Sequence, residues 1–342
     1  MPEIKPTEYP EWDNFVDSSP QGSVFAKSFW LRGFENLASG NQVRVLATRG
    51  EDGRIEAGLP LFLPADGRRR TARAPSLTGY NSLLLAPRSR KDENRESEWM
   101  MKVVSPILQE IERLHLDQIS LSHSPSLTDI REYSWNGWMA VPRYTYVKSL
   151  EAGDFEAGVA KTHGKAFRKA QRAQYVMTVQ EGLSREELDE FLKLFEHSYK
   201  AIPEYYPRDC HLVRTILAAA AGSANVLFYA AKDSCGVIQS ARLAWPSCHG
   251  QVMDWAAATT AKGREDGATS FLLIKMFEDL RARGFREFDF CGANIRPIAL
   301  FKAGFNAVLT PYYVTSRKRA SWKGAAQTAL DAMKAVLRSR KT

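Results

Sequence analysis

Apolar positions recur along the C-terminal half of the chain with two distinct periods. Val252 to Ala258 is a short, nearly unbroken apolar run, the pattern of a buried strand. Apolar residues at 272, 273, 276, 277 and 280 follow a helical spacing. Thr269 or Ser270 suits the start of that helix, Arg281 and Arg283 suit the negative end of its dipole, and Gly284 suits a left-handed cap. Glu287 to Cys291 alternates polar and apolar and predicts a second strand. Between the first strand and the helix, Lys262 to Thr269 reads as a Gly-bearing turn. A strand, a Gly turn and a helix start together offer main-chain N–H groups suited to a phosphate or diphosphate.

The same order of elements occurs twice. In the first half, Val43 to Ala47 and Ile55 to Leu63 flank Gly50-Glu51-Asp52-Gly53, which predicts a hairpin. Thr78-Gly79-Tyr80-Asn81 leads into a strand at Ser82 to Ala86, a helix follows from Glu98 to Leu114, and strands are predicted at Gln118 to Ser122 and Tyr144 to Lys148. In the second half, Val226 to Ala231 and Val237 to Trp245 form a hairpin around Lys232-Asp233-Ser234, ahead of the strand at Val252. Ile107 to Leu114 lines up with Leu273 to Leu280, and a strand follows each. The expectation is an α/β protein of two mixed-sheet units in tandem, each a twisted sheet flanked by helices. Their spans are residues 1–150 and 151–316, with a tail at 317–342.

Between the halves, Ala157 to Ala173 reads as a helix. Lys161, Lys165, Arg168 and Arg172 form one basic stripe on it, either a solvated face or a contact for phosphate or carboxylate. Ser184-Arg185-Glu186-Glu187 is a capping box for a helix with Leu188, Phe191, Leu192, Phe195 and Tyr199 on one face. An irregular aromatic loop, Ile202 to Asp209, comes next.

Composition narrows the picture. The chain has 342 residues and a formal net charge of +8. Residues 317–342 hold eight Lys or Arg and one acid, Asp331, a net of +7, so the body carries about one net positive charge. Basicity is a tail property, and the body is not a general nucleic-acid binder. Trp322, Ala326, Leu330, Met333 and Leu337 fall on one helical face of the tail. That pattern fits a helix docked on the body, a peripheral contact with an anionic membrane, or a contact with RNA phosphates. No run of about 18 apolar residues predicts a spanning helix, and the acidic, aromatic start has no signal-peptide pattern. Four cysteines without a C-x-x-C pair suit a reducing compartment, so a cytoplasmic location is expected, with the inner membrane face as a peripheral site. Serine-hydrolase, zinc-protease and Walker motifs are absent, and adjacent Cys-His pairs give no metal-ligand spacing, so no metal is expected.

Several of these stretches resemble the GNAT acyltransferase superfamily. Arg264-Glu265-Asp266-Gly267-Ala268-Thr269 is similar to that family's diphosphate loop at Arg264 and Gly267 and departs from it at Thr269. Phe288 to Gly292 (FDFCG) and Phe301 to Phe305 (FKAGF) resemble the FemAB-like branch, whose members carry two GNAT-like halves. The spacing of Trp12, Phe15, Ser23, Phe25, Ser28 and Trp30, and the R-K-A-Q-R run from Arg168, resemble the same branch. The resemblance implies an N-acyltransferase that moves an acyl group from a thioester to an amine acceptor in a ternary complex. Acyl-CoA is the first donor it implies, an acyl carrier protein the second, aminoacyl-tRNA the third. Members of the branch attach amino acids to peptidoglycan precursors, which keeps an aminoacyl transferase open. A catalytically inactive binding module with a membrane- or RNA-binding tail also stays open.

The resemblance assigns Arg264, Gly267, Ala268 and Thr269 to donor binding, with the first unit as scaffold or acceptor wall. Lys302 matches the Lys of FK-x-x-F, where a cation can stabilise charge on the acyl oxygen. Asp254 and Asp289, on neighbouring strands, are candidate bases. Tyr312 is a candidate proton donor to the leaving group. Lys165, Arg168, Tyr205, Tyr206 and Arg208 are candidate substrate contacts.

Overall fold

The computed structural model describes residues 3–65, 70–88, 93–151, 153–199, 208–222 and 225–319. The chain opens with β1 (Glu3–Ile4), α1 (Tyr9–Ser18) and α2 (Ser28–Leu37), then the hairpin β2 (Gln42–Arg49) and β3 (Ile55–Leu63). Two short strands follow, β4 (Thr71–Ala72) and β5 (Leu84–Leu85), then α3 (Glu93–Arg113), β6 (Gln118–Ser122), α4 (Arg131–Trp135) and β7 (Met139–Ser149). The second half runs α5 (Lys161–Arg172), β8 (Val176–Glu181), α6 (Arg185–Tyr199), α7 (Arg208–Ala220), β9 (Leu227–Lys232), β10 (Ile238–Pro246) and β11 (Gln251–Thr259). It closes with α8 (Ala261–Asp266), α9 (Ala268–Ala282), β12 (Glu287–Asp289), α10 (Arg296–Ala303) and β13 (Val308–Lys318).

A four-stranded sheet has the order β1-β2-β3-β5, and a nine-stranded sheet the order β4-β6-β13-β7-β12-β11-β10-β9-β8. The expected tandem α/β organisation holds, and the helix–strand repeat is present as α3–β6 and α9–β12. The halves are nevertheless not separate sheets. β7 pairs with β12, and β13 returns to lie antiparallel between β6 and β7. The boundary drawn at 150 therefore crosses one continuous sheet. The tail drawn from 317 begins inside β13, where Arg317 pairs with Glu112. Residues 320–342, with their expected helix, lie outside the described residues. Among the described residues, no helix is long and apolar enough to cross a membrane.

Several boundaries differ for local reasons. The helix expected from Ala157 starts at Lys161, because Asp154 Oδ1 accepts the amides of Glu156 (2.9 Å) and Ala157 (3.1 Å) in a turn ahead of it. Lys262 to Thr269 is no open turn: its first part is α8. Thr260 caps α8, accepting the Gly263 amide at 2.8 Å, whereas α9 starts after Gly267 with no side-chain cap, so neither Thr269 nor Ser270 caps it. Gly267 then adopts φ 85°, a left-handed value that disfavours a side chain. Gly284 ends α9 at φ 88°, as its position after the last turn predicts.

The aromatic residues near the N-terminus are core. Trp12, Phe25 and Trp30 are fully buried. Trp30 meets Trp255 of β11 at a ring-centroid distance of 5.4 Å, and Trp245 of β10 at 6.3 Å. This cluster joins the two halves by burying aromatic area from both.

A second buried cluster lies beside β6. His123 packs on Tyr133 at 4.9 Å, and Tyr133 on Trp138 at 5.3 Å. His123 Nε2 meets the Thr315 hydroxyl of β13 at 2.8 Å, while Nδ1 has no partner among the described residues. Burial pushes the imidazole down to about 3. The folded state thus resists a proton that the unfolded chain accepts near its ordinary value of about 6.5. The neutral ring contributes fully above that value, and the contribution is lost as pH falls from there towards 3. The loss is expected to be about 1.4 kcal/mol per pH unit. Urea unfolding at pH 7, 6 and 5 checks this: the gap between the parent protein and His123→Asn should shrink on acidification, and a constant gap contradicts it.

Candidate active site

The site is built where two parallel strands part. β11 and β12 pair only through Gln251–Glu287, Val252–Phe288 and Met253–Asp289. β11 continues to Thr259, while the other chain turns away at Phe290. On its other edge β11 carries a bulge: Leu243 pairs with Ala256 and Ala244 with Asp254, leaving Trp255 as the extra residue. Bulge and splay together open the sheet at one point.

Asp289 organises the turn that leaves β12. It is fully buried and accepts hydrogen bonds from Tyr80 OH (2.7 Å), Thr145 OH (2.6 Å) and the Cys291 amide (2.8 Å). Thr145 Oγ1 in turn accepts the Gly292 amide at 2.9 Å. Burial raises the Asp289 carboxyl above its ordinary value, against the opposing pull of these donors. So held, Cys291 and Gly292 take φ values of 53° and 109°. Their turn aims two main-chain carbonyls at one point, and Lys302 Nζ of α10 donates to both, Phe290 O and Gly292 O, at 2.7 Å each. Burial lowers the Lys302 ammonium, and the charge of Asp254 opposes that shift. An ammonium has three N–H donors, so one remains.

Asp254 lies on the same face and is ion-paired with Arg242 of β10, both more than nine-tenths buried. Asp254 Oδ1 and Arg242 Nε have no further partner among the described residues. Burial raises the Cys291 thiol well above its ordinary value, which keeps it protonated and a poor nucleophile.

These groups adjoin a pocket of about 370 Å³ between the two halves. Phe25, Leu77 to Gly79 and Ser122 line it from the first half, and Trp255, Cys291, Asn294, Ile298, Lys302 and Tyr312 from the second. A larger groove of about 780 Å³ lies between α3 and the far end of β13, away from this charge network.

Of the residues expected to act in catalysis, Lys302 and Tyr312 line the pocket, and Asp254 and Asp289 belong to the network behind it. Those expected to grip a diphosphate do not form a cradle. Helix α5 lies across the Gly267 turn, so that a Cβ on Gly267 would collide with the Ala166 carbonyl. Ala268 is fully buried. Thr269 meets the Thr259 hydroxyl at 3.0 Å, and Arg264 donates to Thr259 O at 2.7 Å. Lys169 of α5 covers Glu265 O at 2.9 Å. His163 ties α5 down on both sides, meeting Ser270 Oγ at 3.0 Å and Phe301 O at 3.1 Å and stacking on Phe305. In α8, Thr260 takes the Gly263 amide on its hydroxyl and the Arg264 amide on its carbonyl. As it stands, this turn does not fit a diphosphate.

Lys165 and Arg168 are exposed on α5, and Arg168 pairs with Glu156 at 2.8 Å; neither lines the pocket. Tyr205 and Tyr206 lie outside the described residues, as does the side chain of Arg208. Sequence reasoning passed over Tyr80, Thr145, Arg242 and Trp255. Arg242 left a usable signal, a lone charge inside an apolar strand opposite a strand that holds Asp254.

Residues 158–297 match the family model described as an acetyltransferase (GNAT) domain. The matched stretch runs from just before α5 into the start of α10, so this part of the second half is similar to a GNAT-type domain. Among solved structures, the chain is similar to FemX, with 14% identity, 92% of this chain and 97% of that chain covered, and a TM-score of 0.65. It is also similar to the C-terminal domain (DUF2156) of a putative lysylphosphatidylglycerol synthetase from Agrobacterium fabrum, at 16% identity, 97% and 96% coverage and a TM-score of 0.58. A tandem GNAT protein from the clavulanic acid biosynthesis pathway matches at 12% identity, 91% and 95% coverage and a TM-score of 0.54. With these structures the chain shares its paired-unit fold. No curated protein sequence matches it.

Proposed function

We propose that this protein transfers an acyl group from an activated ester or thioester to an amine within the pocket between its halves. The observation that carries this reading is Lys302 Nζ, fixed by two carbonyls at the pocket with one N–H to spare. The amine nitrogen forms the new C–N bond, and the carbonyl electrons move onto oxygen, where the spare N–H of Lys302 stabilises them. Those electrons return as the bond to the leaving sulfur or oxygen breaks. Asp254 Oδ1, with no further partner among the described residues, takes the amine proton through a water. The Tyr312 hydroxyl protonates the leaving group. Proximity in the pocket supplies much of the remaining acceleration.

For the donor, acyl-CoA would need its diphosphate seated away from the Gly267 turn. A second reading, an aminoacyl-tRNA donor, is favoured by the covering of that turn and by the exposed basic stripe of α5. Purified protein incubated with a mixed amine pool and, in turn, acetyl-CoA, octanoyl-CoA and charged tRNA tests both readings. Amide product from any donor, lost in Lys302→Met, supports transfer. Product from charged tRNA alone selects the second reading. No product from any donor counts against transfer.

A further inference from the structure

Most polar side chains of the pocket are already engaged by the protein itself. The Ser122 hydroxyl donates to Gly79 O at 2.9 Å. Asn294 is used at both ends of its amide, Oδ1 accepting the Tyr144 amide at 3.1 Å and Nδ2 donating to Tyr144 O and Tyr312 OH at 3.2 Å. Thr78 Oγ1 accepts Trp30 Nε1 at 3.2 Å, and Trp255 Nε1 donates to Leu77 O at 2.9 Å. The last of these bonds runs between the halves and fixes the Trp255 plane as one wall. Phe25 and Tyr312 are further aromatic walls, while Ile295 and Ile298 stand 45% and 40% exposed. A sugar or nucleotide entering here would give up bonds to water without replacement, which is costly. An apolar body would lose none and would cover apolar wall.

Three side-chain donors remain with capacity to spare, the third N–H of Lys302, the Tyr312 hydroxyl and the Thr78 hydroxyl, and the first two stand together at the Lys302 end. A ligand that suits the pocket is therefore apolar over most of its length and carries one acceptor oxygen at one end. At about 370 Å³ the volume falls at the lower end of small-molecule sites, far more than an acetyl group fills.

We propose that the pocket is a selectivity site for a bulky apolar acyl group, medium-chain or aromatic, seated with its carbonyl oxygen at Lys302 and its body against Trp255, Phe25 and Ile298. This deepens the transfer reading and rests on it only for the role of Lys302. Selection comes from the walls contributed by both halves, so neither half alone would show it.

The test uses the full chain and acyl N-acetylcysteamine thioesters, which carry the acyl group without a nucleotide. Calorimetry should find octanoyl and phenylacetyl thioesters binding at least about tenfold tighter than the acetyl thioester. Ile298→Asp, at a partly exposed position compatible with folding, should abolish the difference, and Trp255→Leu should reduce it for the phenylacetyl thioester most. Equal affinity for all three thioesters, or no binding of any, would overturn the proposal. Turnover followed in parallel keeps the two ideas apart. Bulky-acyl preference without transfer to any amine removes the transfer reading and leaves the selectivity site standing, whereas efficient transfer with acetyl preferred does the reverse.

Discussion

Replacing Lys302 by methionine should leave a folded protein whose turnover falls by about 10²–10³, with little change in KM. Methionine keeps an unbranched stem of similar reach, so α10 retains its packing. It removes the only cation lining the pocket among the described residues. The Phe290 and Gly292 carbonyls lose their donor, at a stability cost of about 1–3 kcal/mol. Since the spare N–H acts on charge that develops only during reaction, the loss should appear in kcat more than in KM. Lys302→Arg should not rescue it: a planar guanidinium cannot reproduce the three-way ammonium geometry in the space between two carbonyls. Single-turnover kinetics alongside thermal melts checks the split. A rate within about threefold of the parent protein would remove Lys302 from the chemistry.

Asp289→Leu should be the most damaging substitution in the network, costing about 3–5 kcal/mol. The side chain is completely enclosed and is the acceptor for Tyr80, Thr145 and the Cys291 amide. Leucine strands all three donors where water cannot reach them. Asp289→Asn should cost less, because one oxygen still accepts, though its NH₂ then faces a donor. Tyr80→Phe keeps the ring against Tyr312 and deletes one bond, for about 1–2 kcal/mol. The order Leu, then Asn, then Tyr80→Phe follows from counting stranded donors, and urea midpoints give it directly. A cost below about 1 kcal/mol for Asp289→Leu would mean that the turn holds itself without the carboxylate. Because Tyr80 comes from the first half and Lys302 from the second, the same network links scaffold to chemistry: loosening Tyr80 should lower turnover as well as stability.

The hairpins, α3, α9 and the helix–strand repeat were legible in the chain because each is declared by residues a few positions apart. The FDFCG and FKAGF runs led to Asp289 and Lys302 for the same reason. What stayed hidden depends on distant partners. Tyr80 and Asp289 are 209 residues apart, and no local pattern announces their bond. The covering of the Gly267 turn stayed hidden for the same reason. Its residues alone suggest free amides, but the object in front of it is Ala166, on a helix from far upstream. The bulge at Trp255 was equally silent, since an apolar run predicts a strand without saying which residue is the surplus one. Arg242 is the exception that could have been read, as a charge in an apolar strand implies a buried counter-charge.

The path of β13 has a consequence for how the chain comes to life on the ribosome. The strand that sits between β6 and β7 is made only after residue 308, so both neighbours are synthesised long before their shared partner exists. Until then the nascent N-terminal half carries two bare edges, the kind of surface that recruits stray strands from other molecules. Assembly of this protein is thus a closing act, completed from the back of the chain, and a piece cut near residue 150 should be sticky rather than a freestanding module.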